Sequence, residues 1–249
     1  MLRTILVIGF VILAGNLSAN GLASPKSTIL AQLSPRQQTV LSSELSARVE
    51  SLPLKEGMAF KVGQKLVEFD CLVGRARLEK VRAAAMAAQM KLAVIKRLKE
   101  YNSTTELEEE LAAAEVAKAL ADVNEEAAVV SKCTLKAPFS GKVAELRVFR
   151  YQFVKAGDPL MKIIDDSVLE VQFLAPSIWF SWLKSGYTFK ITVNETQSVH
   201  EATVIRVGAS IDPVSHTFKV VGRINNRTTD LTAGMTGRIV LIPPSEKVL

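Results

Sequence analysis

Between Cys71 and Cys133 apolar side chains recur at alternating spacings of three and four. Cys71, Gly74, Leu78, Val81, Ala85, Ala88, Leu92 and Ile95 form one series, and Val116, Leu120, Val123, Ala127 and Val130 form a second. Such a pattern is the seam of a coiled coil, and its alanines let two helices approach closely. The stretch has no proline and one glycine, Gly74, while the polar run from Tyr101 to Glu106 separates the two series. Two long helices folded into an antiparallel hairpin over 71–133 are therefore predicted. An ordinary two-helix element inside a larger core is the alternative. Helices of about 28 residues extend about 42 Å, however, and would overhang a small domain.

On either side the pattern shortens to period two, and the flanks match each other. At an offset of 94 residues, Ser46, Arg48, Val49 and Leu52 fall on Ser140, Lys142, Val143 and Leu146. Lys61, Gly63, Leu66, Val67 and Phe69 fall on Lys155, Gly157, Leu160, Met161 and Ile163. Each copy reads as strand, turn and strand, and neither can bury a core alone. The copies, 40–70 and 134–166, are expected to pack into one β-sandwich split by the hairpin. Gly57, Gly63, Pro138, Gly141 and Gly157 are read as its turns.

From 167 to 243, alternating runs such as Phe189–Glu195 and Glu201–Val207 are bounded by Gly186, Asn194, Gly208, Asp212 and the Asn225–Asp230 turn, with Gly234 as a further turn. An antiparallel barrel or sandwich follows, its first strand ending near Pro176. The stretch with Trp179, Phe180 and Trp182 is expected to be a short helix or loop packing its aromatics over a barrel end; an exposed docking patch is the alternative. Residues 244–249 form a tail.

The chain opens with Arg3 and an apolar core, Ile5 to Ala14, about ten residues long. That is the signal-peptide range, and Gly21 with Ala23 fits cleavage after Ala23. Residues 1–23 are read as an export signal and 24–39 as a linker; a retained membrane anchor is the alternative. The 249 residues, 48% hydrophobic and 22% charged, are those of a folded chain. The net charge of +6 does not point to nucleic acid. Residues 71–101 hold eight basic and two acidic side chains and 106–132 the reverse, so an antiparallel pair matches them internally. Two histidines and two cysteines, in no metal or redox spacing, leave no metal site, cofactor or catalytic set to name. The hairpin brings Cys71 and Cys133 to its base, where a disulfide would close a 63-residue loop; two buried free thiols are the alternative.

These features resemble the periplasmic adaptor, or membrane fusion, subunits of bacterial tripartite efflux and type I secretion systems. Leu135–Val143 and Val154–Asp165 are similar to the start and end of the family's second lipoyl-like half, and Phe60–Asp70 to the end of the first. Leu169–Pro176, Leu183–Gly186, Asp212–Val220 and Leu231–Leu241 are similar to its β-barrel. The implied fold is multidomain α+β: a split lipoyl-like sandwich, an α-helical coiled-coil hairpin, then an antiparallel β-barrel. The short flanks imply that the family's membrane-proximal domain is absent. Two positions depart from the family. Its tip motif usually has Arg four residues before the leucine, where Val94 precedes Leu98, and His216 stands where Arg follows the Asp-Pro-x-Ser turn.

The resemblance implies a periplasmic adaptor bridging an inner-membrane transporter of the RND, ABC or major-facilitator type to an outer-membrane channel. The hairpin tip, Tyr101, Asn102, Ser103, Thr104, Thr105, Glu106 and Leu107, would touch the channel, or else be a solvated turn. Self-association into a trimer or hexamer ring is implied, hinges are expected near Asp70, Cys133 and Asp166, and no enzymatic activity is expected. The alternative is a biotinyl or lipoyl carrier on the same scaffold. There the inserted helices would occupy the position of the modifiable lysine, and Lys55, Lys61 and Lys155 read as turn and surface charges.

Overall fold

The computed structural model describes residues 28–226 and 230–241, and residues 1–23, read above as an export signal, lie outside them. The element order is β1 (Thr28–Ser42), β2 (Ala47–Ser51), β3 (Ala59–Phe60), β4 (Lys65–Phe69), α1 (Leu72–Glu100), α2 (Glu106–Ser131), β5 (Thr134–Lys136), β6 (Gly141–Leu146), β7 (Phe153–Val154), β8 (Pro159–Pro176), β9 (Thr188–Val193), β10 (Val199–Val207), β11 (Thr217–Ile224) and β12 (Thr236–Val240). A 3₁₀ turn, Ser177–Ser181, follows β8.

Six strands, ordered β1-β12-β9-β10-β11-β8, close on themselves through antiparallel pairing of β8 with β1. Closure removes the exposed edges of an open sheet. Alternate residues of every strand face inward, among them Ala31 and Leu33, Val171 and Phe173, Phe189 and Ile191, Ala202 and Val204, Phe218 and Val220, and Ile239. Trp179 from the 3₁₀ turn and Leu183 complete this barrel core, so the aromatic stretch does pack over one barrel end.

The second core lies where the 94-residue repeat places it, among Val49, Phe60, Leu66, Phe69, Val143, Val154, Leu160 and Ile163. Its two halves are fastened by reciprocal hydrogen bonds. The Gly63 amide donates to the Ala137 carbonyl and the Gly157 amide to the Ser43 carbonyl, both at 2.8 Å; the Gly57 amide donates to Val143 and the Tyr151 amide to Val49, again both at 2.8 Å. Side chains repeat the exchange, with Ser140 Oγ accepting from the Val62 amide and Ser46 Oγ from the Ala156 amide. Each donor and acceptor in one half has its counterpart 94 residues along, so each half supplies what the other lacks.

Four expectations are corrected. Residues 28–39 are not a linker: they lie in β1, whose Ala31 and Leu33 are buried and whose partners are β12 and β8. The domain boundary at 166/167 falls inside β8, and Asp166 is ion-paired with Lys142 within that strand rather than at a hinge. β1 and β8 thus run through both the barrel and the sandwich, and β1 changes register between Pro35 and Gln37. Proline offers no amide for a ladder, which suits it to this irregularity. Gly141 begins β6 rather than forming a turn. A methyl there would lie 2.0 Å from the Ile164 carbonyl oxygen, so close strand approach requires glycine. The turn conformation equivalent to Gly57 (φ +80°) is held in the second half by Tyr151 (φ +70°).

Candidate partner-docking site at the helical tip

Two antiparallel helices leave the sandwich between β4 and β5. The helices are tied at their base by a disulfide between Cys71 and Cys133, whose Cα atoms lie 6.0 Å apart. Asp70 Oδ1 accepts from the Leu72 amide at the start of α1, and the other carboxylate oxygen is ion-paired with Arg48. These contacts hold the Asp70 carboxyl below its ordinary range, the Leu72 amide first and the Arg48 hydrogen bond next.

Along α1 the expected seam is the covered face, with Leu78, Ala85 and Ala88 buried and Val81, Leu92 and Ile95 half-buried. On α2 the seam is shifted at one position. Leu120 is exposed, and Ala119 takes its place in the covered series Ala112, Val116, Ala119, Val123. The bulkier residue drew the sequence reading; the small one lies where the helices meet. Across the flanks Lys91 pairs with Glu115 and Lys99 with Glu109. The Glu109 contact raises the Lys99 pKa, and Lys99 in turn lowers that of Glu109. Both pairs are solvent-accessible, so they set register and orientation more than stability.

The tip is fixed from both sides. The Ser103 amide donates to the Leu98 carbonyl and the Asn102 amide to the Lys99 carbonyl, with Asn102 left-handed at φ +52°. This is a Schellman closure with asparagine in the position glycine usually fills. Two residues later Thr105 caps α2. Thr105 Oγ1 accepts from the Glu108 amide, and the Glu108 carboxylate accepts from the Thr105 amide at 2.9 Å. The Thr104 hydroxyl also donates to Glu108 and is the largest cause of its lowered pKa. Glu106, Glu108 and Glu109 lie in the first turn of α2, where acidic groups complement the helix dipole.

Of the seven tip residues, Tyr101 to Thr105 form the connection, whereas Glu106 and Leu107 already belong to α2. Tyr101 and Leu107 are exposed at 74% and 63%. Sequence reasoning missed Leu111, also exposed, one turn further along α2. Its signal was an apolar residue outside the seam series. The tip is thus a rigid turn with uncovered apolar side chains flanked by acids, suited to packing against other helices. Among the described residues, no group of three or more His, Cys, Asp or Glu is placed to hold a metal, and no helix is long and apolar enough to cross a membrane.

No family model matches the chain. It is 26% identical over 222 residues to the nodulation protein NolF of Rhizobium meliloti, covering 83% of this chain and 60% of that one. The chain spans 56–60% of the length of the curated relatives it matches. Among solved structures, it matches a MacA–MexA chimeric protein carrying the Pseudomonas aeruginosa MexA α-hairpin domain, with TM-score 0.78 at 18% identity over 86% of this chain and 80% of that one. It also matches the membrane fusion protein Spr0693 of Streptococcus pneumoniae R6, with TM-score 0.72 at 13% identity over 86% and 97%. A sheet-rich chain with a closed barrel and two helices, it has the fold of the membrane fusion, or periplasmic adaptor, proteins.

Proposed function

We propose that the chain is a periplasmic adaptor of a tripartite efflux or secretion system, exported by its N-terminal segment. Its helical pair acts as a coiled-coil hairpin on a split lipoyl-like sandwich, its tip packs against an outer-membrane channel, and its barrel meets an inner-membrane transporter. The observation that carries this reading is the tip: the connection is closed by a Schellman turn and a capping box, yet leaves Tyr101 and Leu107 exposed at the end of helices about 40 Å long. A carrier role is not favoured, because the helices occupy the place where such a scaffold would present a modifiable lysine. Bridging needs no bond to be made or broken. A sealed passage needs circumferential closure, so a trimer or hexamer ring is part of the proposal.

The test is a variant with one added cysteine, Ser103→Cys, of the full chain in intact Gram-negative cells. Cys71 and Cys133 are bonded to each other, so the new thiol is the reactive one. The expected result is a periplasmic adduct with an outer-membrane channel protein. Uncross-linked protein whose tip reacts fully with a soluble maleimide, with the cognate transporter present, would overturn the reading.

A further inference from the structure

Where the barrel meets the sandwich, two strands lose their regular pairing, and both irregularities border one cleft. In β1, Pro35 faces Leu169 and Gln37 faces Asp165 on β8, so Arg36 stands unpaired opposite residues 166–168. In β10, Val204 faces Gly222 and Arg206 faces Val221, so Ile205 is an extra residue, a β-bulge. The bulge reverses the side of the strand on which each later residue lies. Ala202 and Val204 point into the barrel core, and strict alternation would send Arg206 in after them. With the bulge, Val207 packs on that core instead and the Arg206 side chain is 63% exposed.

Arg36, Arg206 and Arg223 line a cleft of about 520 Å³ together with Glu170. Glu170 is buried and lies opposite Arg223 across β8 and β11, yet its carboxylate accepts from Arg206 at 2.8 Å. Among the described residues, neither Arg36 nor Arg223 has an ion-pair partner. Three guanidinium groups against one carboxylate leave two positive charges on a single concave surface. The adjoining Lys142 and Asp166 are paired with each other at 2.7 Å and do not change that excess. Gathered like charges destabilise the free protein by self-repulsion, and a bound anion relieves it.

The lining also says which anion fits. Guanidinium groups hold phosphate through paired N–H donors, and a phosphate monoester carries a charge of about −1.5 to −2 near neutral pH, matching the excess. The volume falls among small-molecule sites, roughly 300–1,000 Å³. The apolar lining is confined to Val168 and Ile205, which leaves no channel for an acyl chain. We propose that this cleft binds a soluble phosphate monoester, its phosphate held by Arg36 and Arg223, with Arg206 a third donor positioned by Glu170. The site is separate from the helical tip, and the proposal holds whether or not the tip docks on a channel.

The test is isothermal titration calorimetry of the full chain with phenyl phosphate, whose ring suits the apolar pair. Saturable binding of one equivalent is expected, weakened at least about tenfold in Arg36→Gln and in Arg223→Gln, each of which removes charge-assisted contacts. Lys219→Gln makes the same change of charge at an exposed position of β11 outside the cleft, and should bind as the native chain does. An unchanged urea midpoint certifies the fold of each variant; a shifted one moves the comparison to Arg36→Lys, which keeps the charge, loses the paired donors and should still bind more weakly. Absence of saturable binding to the native chain overturns the proposal. So does an equal loss in Lys219→Gln, which would mean diffuse charge attraction only. Succinate or hexaglutamate binding as tightly as phenyl phosphate would overturn the phosphate assignment, the second pointing to an acidic protein segment. Binding to phosphatidic acid vesicles that phenyl phosphate does not compete away would make the ligand a lipid headgroup and overturn the soluble one.

Discussion

Breaking the Cys71–Cys133 bond separates two events that a thermal melt would merge. The cysteines are 62 residues apart, and in an unfolded chain the bond closes a loop of that length. The chain-entropy relation gives about 4 kcal/mol of stabilisation against global unfolding. Melting the helices alone is different. With the sandwich intact, β4 and β5 stay paired, Glu68 opposite Thr134, and the Phe69 amide still donates to the Cys133 carbonyl at 2.9 Å. The ends of the helical pair are therefore already held together, and the bond removes little further entropy from a state in which only the helices are open. The bond at the base of the helices thus protects the sandwich more than the helices. Reduction, or Cys71→Ala with Cys133→Ala, is expected to speed exchange of the slowest amides of β4, β6 and β8 by up to about 1,000-fold. Amides in the middle of α1 and α2 should change by less than about fivefold. Hydrogen exchange read by mass spectrometry reports both regions in one sample. Greater loss of protection in the helices than in the sandwich would refute the reasoning.

Further expectations follow from single positions. Gly141→Ala places a methyl against the Ile164 carbonyl oxygen and should cost about 2–3 kcal/mol in urea unfolding, with the β6–β8 amides losing protection first. Gly57→Ala meets nothing within 4 Å, so its cost, about 1 kcal/mol, comes from the left-handed backbone alone; a loss equal to that of Gly141→Ala would contradict this assignment. Thr105→Ala removes the cap of α2 and should cost about 1 kcal/mol, read as faster exchange in the first turn of α2 with the barrel unchanged. Glu108 has a folded pKa below its ordinary value, so its contribution is present at neutral pH and is lost as the pH falls through that folded value. Tip-proximal exchange, corrected for its intrinsic pH dependence, should therefore rise below about pH 4 in the native chain and rise less in Glu108→Gln, where only the Glu109–Lys99 pair still titrates.

The sequence revealed most where a period was sustained. The alternating three-and-four series marked the covered face of α1 residue by residue, because a long helix repeats one geometric relation many times. The 94-residue offset located two halves that the structure joins by matched hydrogen bonds. β1 was missed although Ile29, Ala31 and Leu33 alternate, since Pro35 and a polar run after it read as a connection. Those polar residues face outward or cross between the cores, which one strand's composition does not show. Leu120 was misplaced because size stood in for position. Tyr151 gave no signal, as its left-handed conformation is imposed by the fold around it rather than by its own preference. At the tip the capping pair Thr105 and Glu108 was present in the sequence, but a single turn has no period to betray it.

The passage of β1 and β8 through both cores also determines how the molecule answers force. A pull on the helical tip reaches the sandwich first and is handed to the barrel along two antiparallel strands, paired from Ala31 opposite Phe173 to Ser42 opposite Pro159. Lengthwise tension loads the rungs of that ladder together rather than one after another, so the junction resists in shear. Register shifts between Pro35 and Gln37 and between Leu41 and Ser42 interrupt the rungs within this path. The first lies between the two cores and is the compliant point of that coupling, where elastic strain would concentrate before either core yields.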